Sequence, residues 1–176
     1  MCKNGLYSVI SCNGTLFAGG GDGKLKKVIT SDKGWAIEKE IQLQGRITSI
    51  SEHLEKQEII IGTSQNKIYR ALEKDLSYYS YCEAHLGAVT DIAFGKSNDQ
   101  FASIEEEGNV SFYDIGEYKC LYTDKGPDKG RALCIAEDDT IIAGYADGSI
   151  KCIDKGNAIW AIPKCHKGNT NTIYAD

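Results

Sequence analysis

Several stretches of this chain carry residue types that do chemistry in other settings. Gly19-Gly20-Gly21-Asp22-Gly23-Lys24 has the glycine density of a loop that wraps phosphate with backbone N–H groups. The spacing fails that chemistry. Ala18 stands where the first glycine is needed, and Leu25 where a Ser or Thr would hold magnesium. No helix pattern follows to offer its N-terminus to an anion, so the plainer reading is a glycine-rich turn between strands. Cys82-Glu83-Ala84-His85 and Cys165-His166 offer thiolate and imidazole ligands. Zinc takes two close pairs at set spacing, whereas these pairs lie about 80 residues apart, which argues for no metal.

Nucleophilic catalysis would need a Ser or Cys and an orienting acid within reach of His53, His85 or His166, the three histidines of the chain. No Gly-x-Ser-x-Gly elbow accompanies them. Glu105-Glu106-Glu107 reads as a solvated turn, because adjacent carboxylates do not converge on one substrate atom. The chemistry-bearing residues therefore predict no catalytic site, no cofactor and no small-molecule substrate. Two stretches suit contact instead. Tyr78-Tyr79-Ser80-Tyr81 places Tyr79 and Tyr81 on one strand face and Tyr78 on the other, and exposed tyrosine is enriched at interfaces. Lys125, Lys129 and Arg131 form a basic loop.

The elements that must position these residues repeat. The turns Asp22-Gly23-Lys24-Leu25, Gln65-Asn66-Lys67-Ile68, Glu107-Gly108-Asn109-Val110 and Asp147-Gly148-Ser149-Ile150 place their apolar ends 43, 42 and 40 residues apart. Six residues before each apolar end stand Gly19, Gly62, Ile104 and Gly144. Short runs rich in Ile, Val, Leu and Tyr between turns predict four strands per unit. A period of 40 to 45 residues built from strands alone is the signature of a β-propeller, one four-stranded blade per repeat. The predicted units are residues 1–45, 46–84, 85–129 and 130–165. Residues 166–176 then repeat the start of the third unit, since His166 to Ile173 matches His85 to Ile92. They predict the first strand of a further blade, and so an arc of a larger ring.

Bulk properties agree. The chain of 176 residues is 41% hydrophobic and 26% charged, with net charge −5. That charge argues against duplex nucleic acid, which requires a basic stripe, and no apolar run is long enough for a membrane span. Seven cysteines, an odd number without a Cys-x-x-Cys pair, read as small buried hydrophobes in a reducing compartment.

The third unit resembles the WD-repeat family. Ala84-His85 stands at the family's Gly-His, Val89 to Phe94 is the inner strand, Phe101-Ala102-Ser103 the second, and Tyr113-Asp114 holds the Trp-Asp position. The resemblance implies a blade-locking hydrogen-bond network at His85, Ser103, Glu107 and Tyr113, with Glu107 and Tyr113 departing from the family's Asp and Trp. The turn residues Asp22, Gly23, Asp147 and Gly148 are the corresponding structural positions. The segment Ile41-Gln42-Leu43-Gln44-Gly45-Arg46-Ile47-Thr48-Ser49-Ile50 is more specific. It is similar to the double-propeller WD-repeat members of cilia and flagella, loosely from Ser8 to Ile173. That resemblance implies a non-catalytic scaffold of the cytoskeleton in the axoneme. Its partners would be tubulin, on the luminal side of doublet microtubules, and other axonemal proteins, with no nucleic acid or membrane partner. It also implies a junction between two rings near Cys82 to Gly87. The alternative is a cytosolic WD-repeat adaptor that presents a propeller face to peptides or proteins.

Overall fold

The computed structural model describes residues 4–53, 55–82, 85–95, 99–117 and 119–175, with the side chains of 80–82 left aside. Every regular element is a strand. The first sheet holds β1 (Leu6–Cys12), β2 (Thr15–Gly20), β3 (Lys24–Ser31) and β4 (Gly34–Gln42), and the second β5 (Ile47–His53), β6 (Glu58–Thr63), β7 (Ile68–Leu72) and β8 (Tyr78–Cys82). The third holds β9 (Val89–Phe94), β10 (Gln100–Glu105), β11 (Asn109–Asp114) and β12 (Lys119–Lys125), and the fourth β13 (Gly130–Ile135), β14 (Ile141–Tyr145), β15 (Ile150–Asp154) and β16 (Asn157–Ile162). Each sheet is an antiparallel meander in chain order. This is the all-β architecture the repeat predicts. Among the described residues no helix is long and apolar enough to cross a membrane.

The register carries the repeat into three dimensions. Ser8, Ser49, Asp91 and Ala132 pair with Gly19, Gly62, Ile104 and Gly144, one equivalent pair per sheet. A bulge falls beside that pair in every sheet, which raises the local twist of the inner strand. In the second and third sheets the extra residue is a threonine: Thr48 donates to Gly62 O at 3.0 Å and Thr90 to Ile104 O at 3.1 Å.

The blades stack through one repeated contact. A Cβ placed on Gly62 would lie 2.6 Å from Val89 Cγ1 of the next blade, and one on Gly144 would lie 2.5 Å from Thr170 Cγ2. Gly19 meets Ile47 in the same way. The third blade departs from the glycine pattern and shows why the pattern exists: Ile104 replaces the glycine, and Gly130 replaces the bulky residue opposite it. A small residue faces a large one at each joint, and the side that is small is exchanged once.

The core follows from this stacking. One apolar cluster joins the first two blades through Phe17, Leu25, Ile47, Ile59 and Tyr69. A second joins blades two and three through Ile60, Ile68, Val89, Phe101 and Tyr113, and a third joins three and four through Ala102, Ile104, Leu133 and Tyr145. The ring junction implied near Cys82 to Gly87 falls partly outside the described residues; on either side of it β9 stacks on β5 as β5 does on β1, with Val89 and Ile92 seated on Gly62. Cys82 is the last residue of β8, while Glu83 and Ala84 lie outside the described residues. One sequence expectation needs correction: no strand forms over residues 166–175. Even so, Thr170 and Ile173 occupy Gly144 as Val89 and Ile92 occupy Gly62, and Thr170 N donates to Tyr145 O at 3.1 Å.

Candidate functional site

The turn between second and third strands positions the first set of predicted residues. Gly23, Gly108 and Gly148 all adopt positive φ (69°, 93° and 82°), and Asn66 takes their place in blade two at 49°. Asparagine is the side chain best tolerated there. Asp22 Oδ1 accepts from Lys24 N at 3.1 Å, and Asp147 Oδ1 from Ser149 N at 2.9 Å, which closes each turn locally. The incoming loop of the next blade then docks on the turn: Leu43 N donates to Gly23 O, Gly126 N to Gly108 O and His166 N to Gly148 O. Side chains at Gly23 or Gly148 would strike the carbonyls of Gly45 or His166, so glycine is required twice over.

The third blade holds the densest polar cluster. His85 Nε2 lies 2.5 Å from Ser103 Oγ, and His85 Nδ1 lies 3.5 Å from Glu105 Oε2, an electrostatic contact rather than a hydrogen bond. Glu105 Oε2 accepts from Gly87 N at 2.6 Å, and its other oxygen from Asn109 Nδ2. Burial holds the His85 imidazole below its usual range, partly offset by the Glu105 carboxylate. A neutral ring with its proton on Nδ1, facing Glu105, lets Nε2 accept from the Ser103 hydroxyl.

The carboxylate at His85 is Glu105, a correction to the expected Glu107. Ser103 and Glu105 are two apart on β10 and share a face, whereas Glu107 lies beyond the strand and is exposed. That same two-residue spacing was the signal available in the sequence. Tyr113 is buried and stacks on Phe101 at 4.6 Å and 10°, which places it in the joint with blade two.

The order carboxylate, imidazole, hydroxyl is that of a hydrolase triad, but these three side chains are buried and Ser103 has no exposed surface. A substrate carbonyl has no approach to it. The cluster ties the loop before β9 to the middle of β10.

A second polar belt was not anticipated. Ile50 N donates to Ser8 Oγ at 3.0 Å, Ser49 Oγ to Asp91 Oδ1 at 3.0 Å, Ser51 Oγ to Ile92 O at 2.6 Å, and Leu133 N to Asp91 Oδ2 at 3.0 Å. Asp91 thereby bonds blades two, three and four. Burial raises its carboxyl above the usual range against these three donors, the third being its neighbour Ile92 N. Cys12, Glu52 and Glu73 also converge between blades one and two, with one donor atom each within 4.8 Å of the others. Burial pushes the Cys12 thiol up, as does its bond to Glu52, and burial with Glu52 raises Glu73.

The expected contact residues divide. Tyr79 is 67% exposed, while Tyr78 leans edge-on against Tyr69 at 5.8 Å. The Tyr81 side chain lies outside the described residues. Lys125 and Lys129 are exposed, and Lys129 pairs with Glu106 at 3.1 Å, whereas Arg131 is half-buried. Of the proposed ligand pairs, His85 is committed to Ser103, and Cys165 and His166 are exposed.

Comparison with known proteins agrees with this geometry. No family model matches the chain. The WD40 β-propeller domain of Doa1 superposes with a TM-score of 0.83 at 15% identity, covering 94% of this chain and 56% of that one. Cilia- and flagella-associated protein 52 of Homo sapiens is 27% identical over 175 residues, and that of Bos taurus 36% identical over 172. Both alignments cover 94% of this chain, which spans 27% of the length of either relative. The chain is a run of four β-propeller blades with the fold of a WD40 propeller domain, similar over nearly its whole length to part of cilia- and flagella-associated protein 52.

Proposed function

We propose that this chain serves as a non-catalytic scaffold of the ciliary and flagellar axoneme, bound to the luminal side of doublet microtubules and to neighbouring inner proteins. The observation that carries this reading is the similarity to cilia- and flagella-associated protein 52 across 94% of the chain. A propeller suits such a role through rigidity and area: modest contacts spread over several blades sum to a strong attachment. The proposed locks of that rigidity are His85, Ser103, Glu105 and Tyr113 in blade three, and the turns at Asp22-Gly23 and Asp147-Gly148. Tyr79, Lys125 and Lys129 are the proposed contacts. The test is fractionation of axonemes carrying the tagged protein. Retention with doublets after high-salt extraction supports the reading. Release with the soluble matrix fraction overturns it in favour of a cytosolic adaptor.

A further inference from the structure

The rims of blades three and four enclose a groove of about 550 Å³. Leu121 of β12 and Ile159 of β16 form its apolar walls, 45% and 57% exposed. Phe112 and Tyr122, stacked at 4.9 Å, form its base. The turns at one end supply Asp138, Asp139 and Asp154 against a single ammonium, Lys155. None of the three carboxylates is ion-paired with a described residue. Asp138 is occupied by Thr140 N and Oγ1, and Asp139 is held at φ 63° on the exposed turn beside it. The phenol of Tyr122 is pushed up to about 12, by burial first and then by the Asp154 carboxylate, so it stays protonated beside a negative potential.

We propose that this groove binds an arginine side chain presented, with apolar neighbours, by a segment of a partner protein. Charge complementarity selects the occupant. A small hydrated cation gains nothing from Leu121 and Ile159. A long side chain packs its methylenes on those walls and carries its charge to the aspartates. A guanidinium, less strongly hydrated than an ammonium and able to form paired hydrogen bonds to carboxylates, suits the acidic end better than lysine. This site is independent of the ciliary reading and of the tyrosine and lysine contacts above.

The test uses the 176-residue chain and three capped tripeptides, Leu-Arg-Leu, Leu-Gln-Leu and Leu-Glu-Leu, with amide chemical shifts as the readout. The arginine peptide is expected to shift residues 138–140 and 154–159 and to bind at least about tenfold more tightly than the glutamine peptide. Asp139→Asn with Asp154→Asn should weaken it by about tenfold, and Lys155→Gln should strengthen it by a few-fold. A gain of affinity cannot come from a misfolded variant. Equal binding of the glutamine peptide, shifts confined to other blades, or no shift at millimolar peptide would overturn the proposal.

Discussion

At the residue scale, the joint between blades is a pairing of one small with one large side chain. Gly19, Gly62 and Gly144 are small on the second strand, and Gly130 is small on the first. Gly144 has ordinary φ, so Val is allowed by its backbone and refused by Thr170. Gly144→Val should destabilise by about 1–3 kcal/mol in urea melts; an unchanged midpoint would break the repeat alignment. Gly130→Val should cost a similar amount by meeting Ile104. The double variant Ile104→Gly with Gly130→Val removes the clash with Ile104 but leaves the Glu105 carbonyl 2.5 Å from the new Cβ, so the two changes should couple by about 1 kcal/mol or more in a double-mutant cycle without full recovery of stability. His85 makes a second prediction. Its pKa is depressed in the folded chain, so the unfolded chain takes up the proton first as pH falls. Stability should be full above about pH 6.5 and decline as pH drops below it. His53, also depressed by burial, acts in the same direction. The urea midpoint of His85→Gln should therefore depend less on pH between 7 and 5 than that of the parent, although lower at pH 7.

At the scale of elements, the inner strands are held to one another by side chains rather than by ladders. Asp91 is the clearest case, since its two oxygens reach Ser49 in blade two and Leu133 in blade four. Asp91→Ala leaves the Leu133 N–H and the Ser49 hydroxyl buried without that acceptor, at about 1–3 kcal/mol. Hydrogen exchange should speed at Leu133 and Ile92, while amides in the centre of β6 keep their protection. Asp91→Asn, which retains an acceptor and removes a poorly solvated charge, should recover much of the loss. Equal exchange in Asp91→Ala and the parent would remove the belt as a stabilising element.

At the scale of the whole molecule, the four blades form an open arc among the described residues, with no extensive packing of β1 on β13. Leu6 and Val9 occupy in β1 the positions of Ile47 and Ile50 in β5. Ile47 and Ile50 are 0% and 4% exposed against the preceding blade, whereas Leu6 and Val9 are 54% and 52% exposed. The same apolar face is thus covered in one blade and bare in the other. Light scattering on the 176-residue chain should show concentration-dependent association through this face. Leu6→Glu with Val9→Lys should reduce it and change stability by no more than about 0.5 kcal/mol, as for exposed positions elsewhere. Association that persists unchanged in the variant would place the sticky surface elsewhere.

The sequence by itself determined what is local and periodic. The four strands per unit, the 40 to 43-residue repeat and the turns at Gly23, Asn66, Gly108 and Gly148 were legible there. Each is set by backbone sterics or by side-chain alternation within a few residues. Tertiary structure decided what depends on contacts across blades. Glu105 and not Glu107 meets His85, because the face of β10 chooses the carboxylate. Ile104 breaks the glycine pattern without harm because Gly130, on the next blade, gives way. Asp91 reads in sequence as an ordinary strand residue; only the approach of β5 and β13 from either side makes it a junction of three blades. The groove between Leu121 and Ile159 joins residues 38 positions apart, and no pattern along the chain encodes a distance set by the angle between two blades.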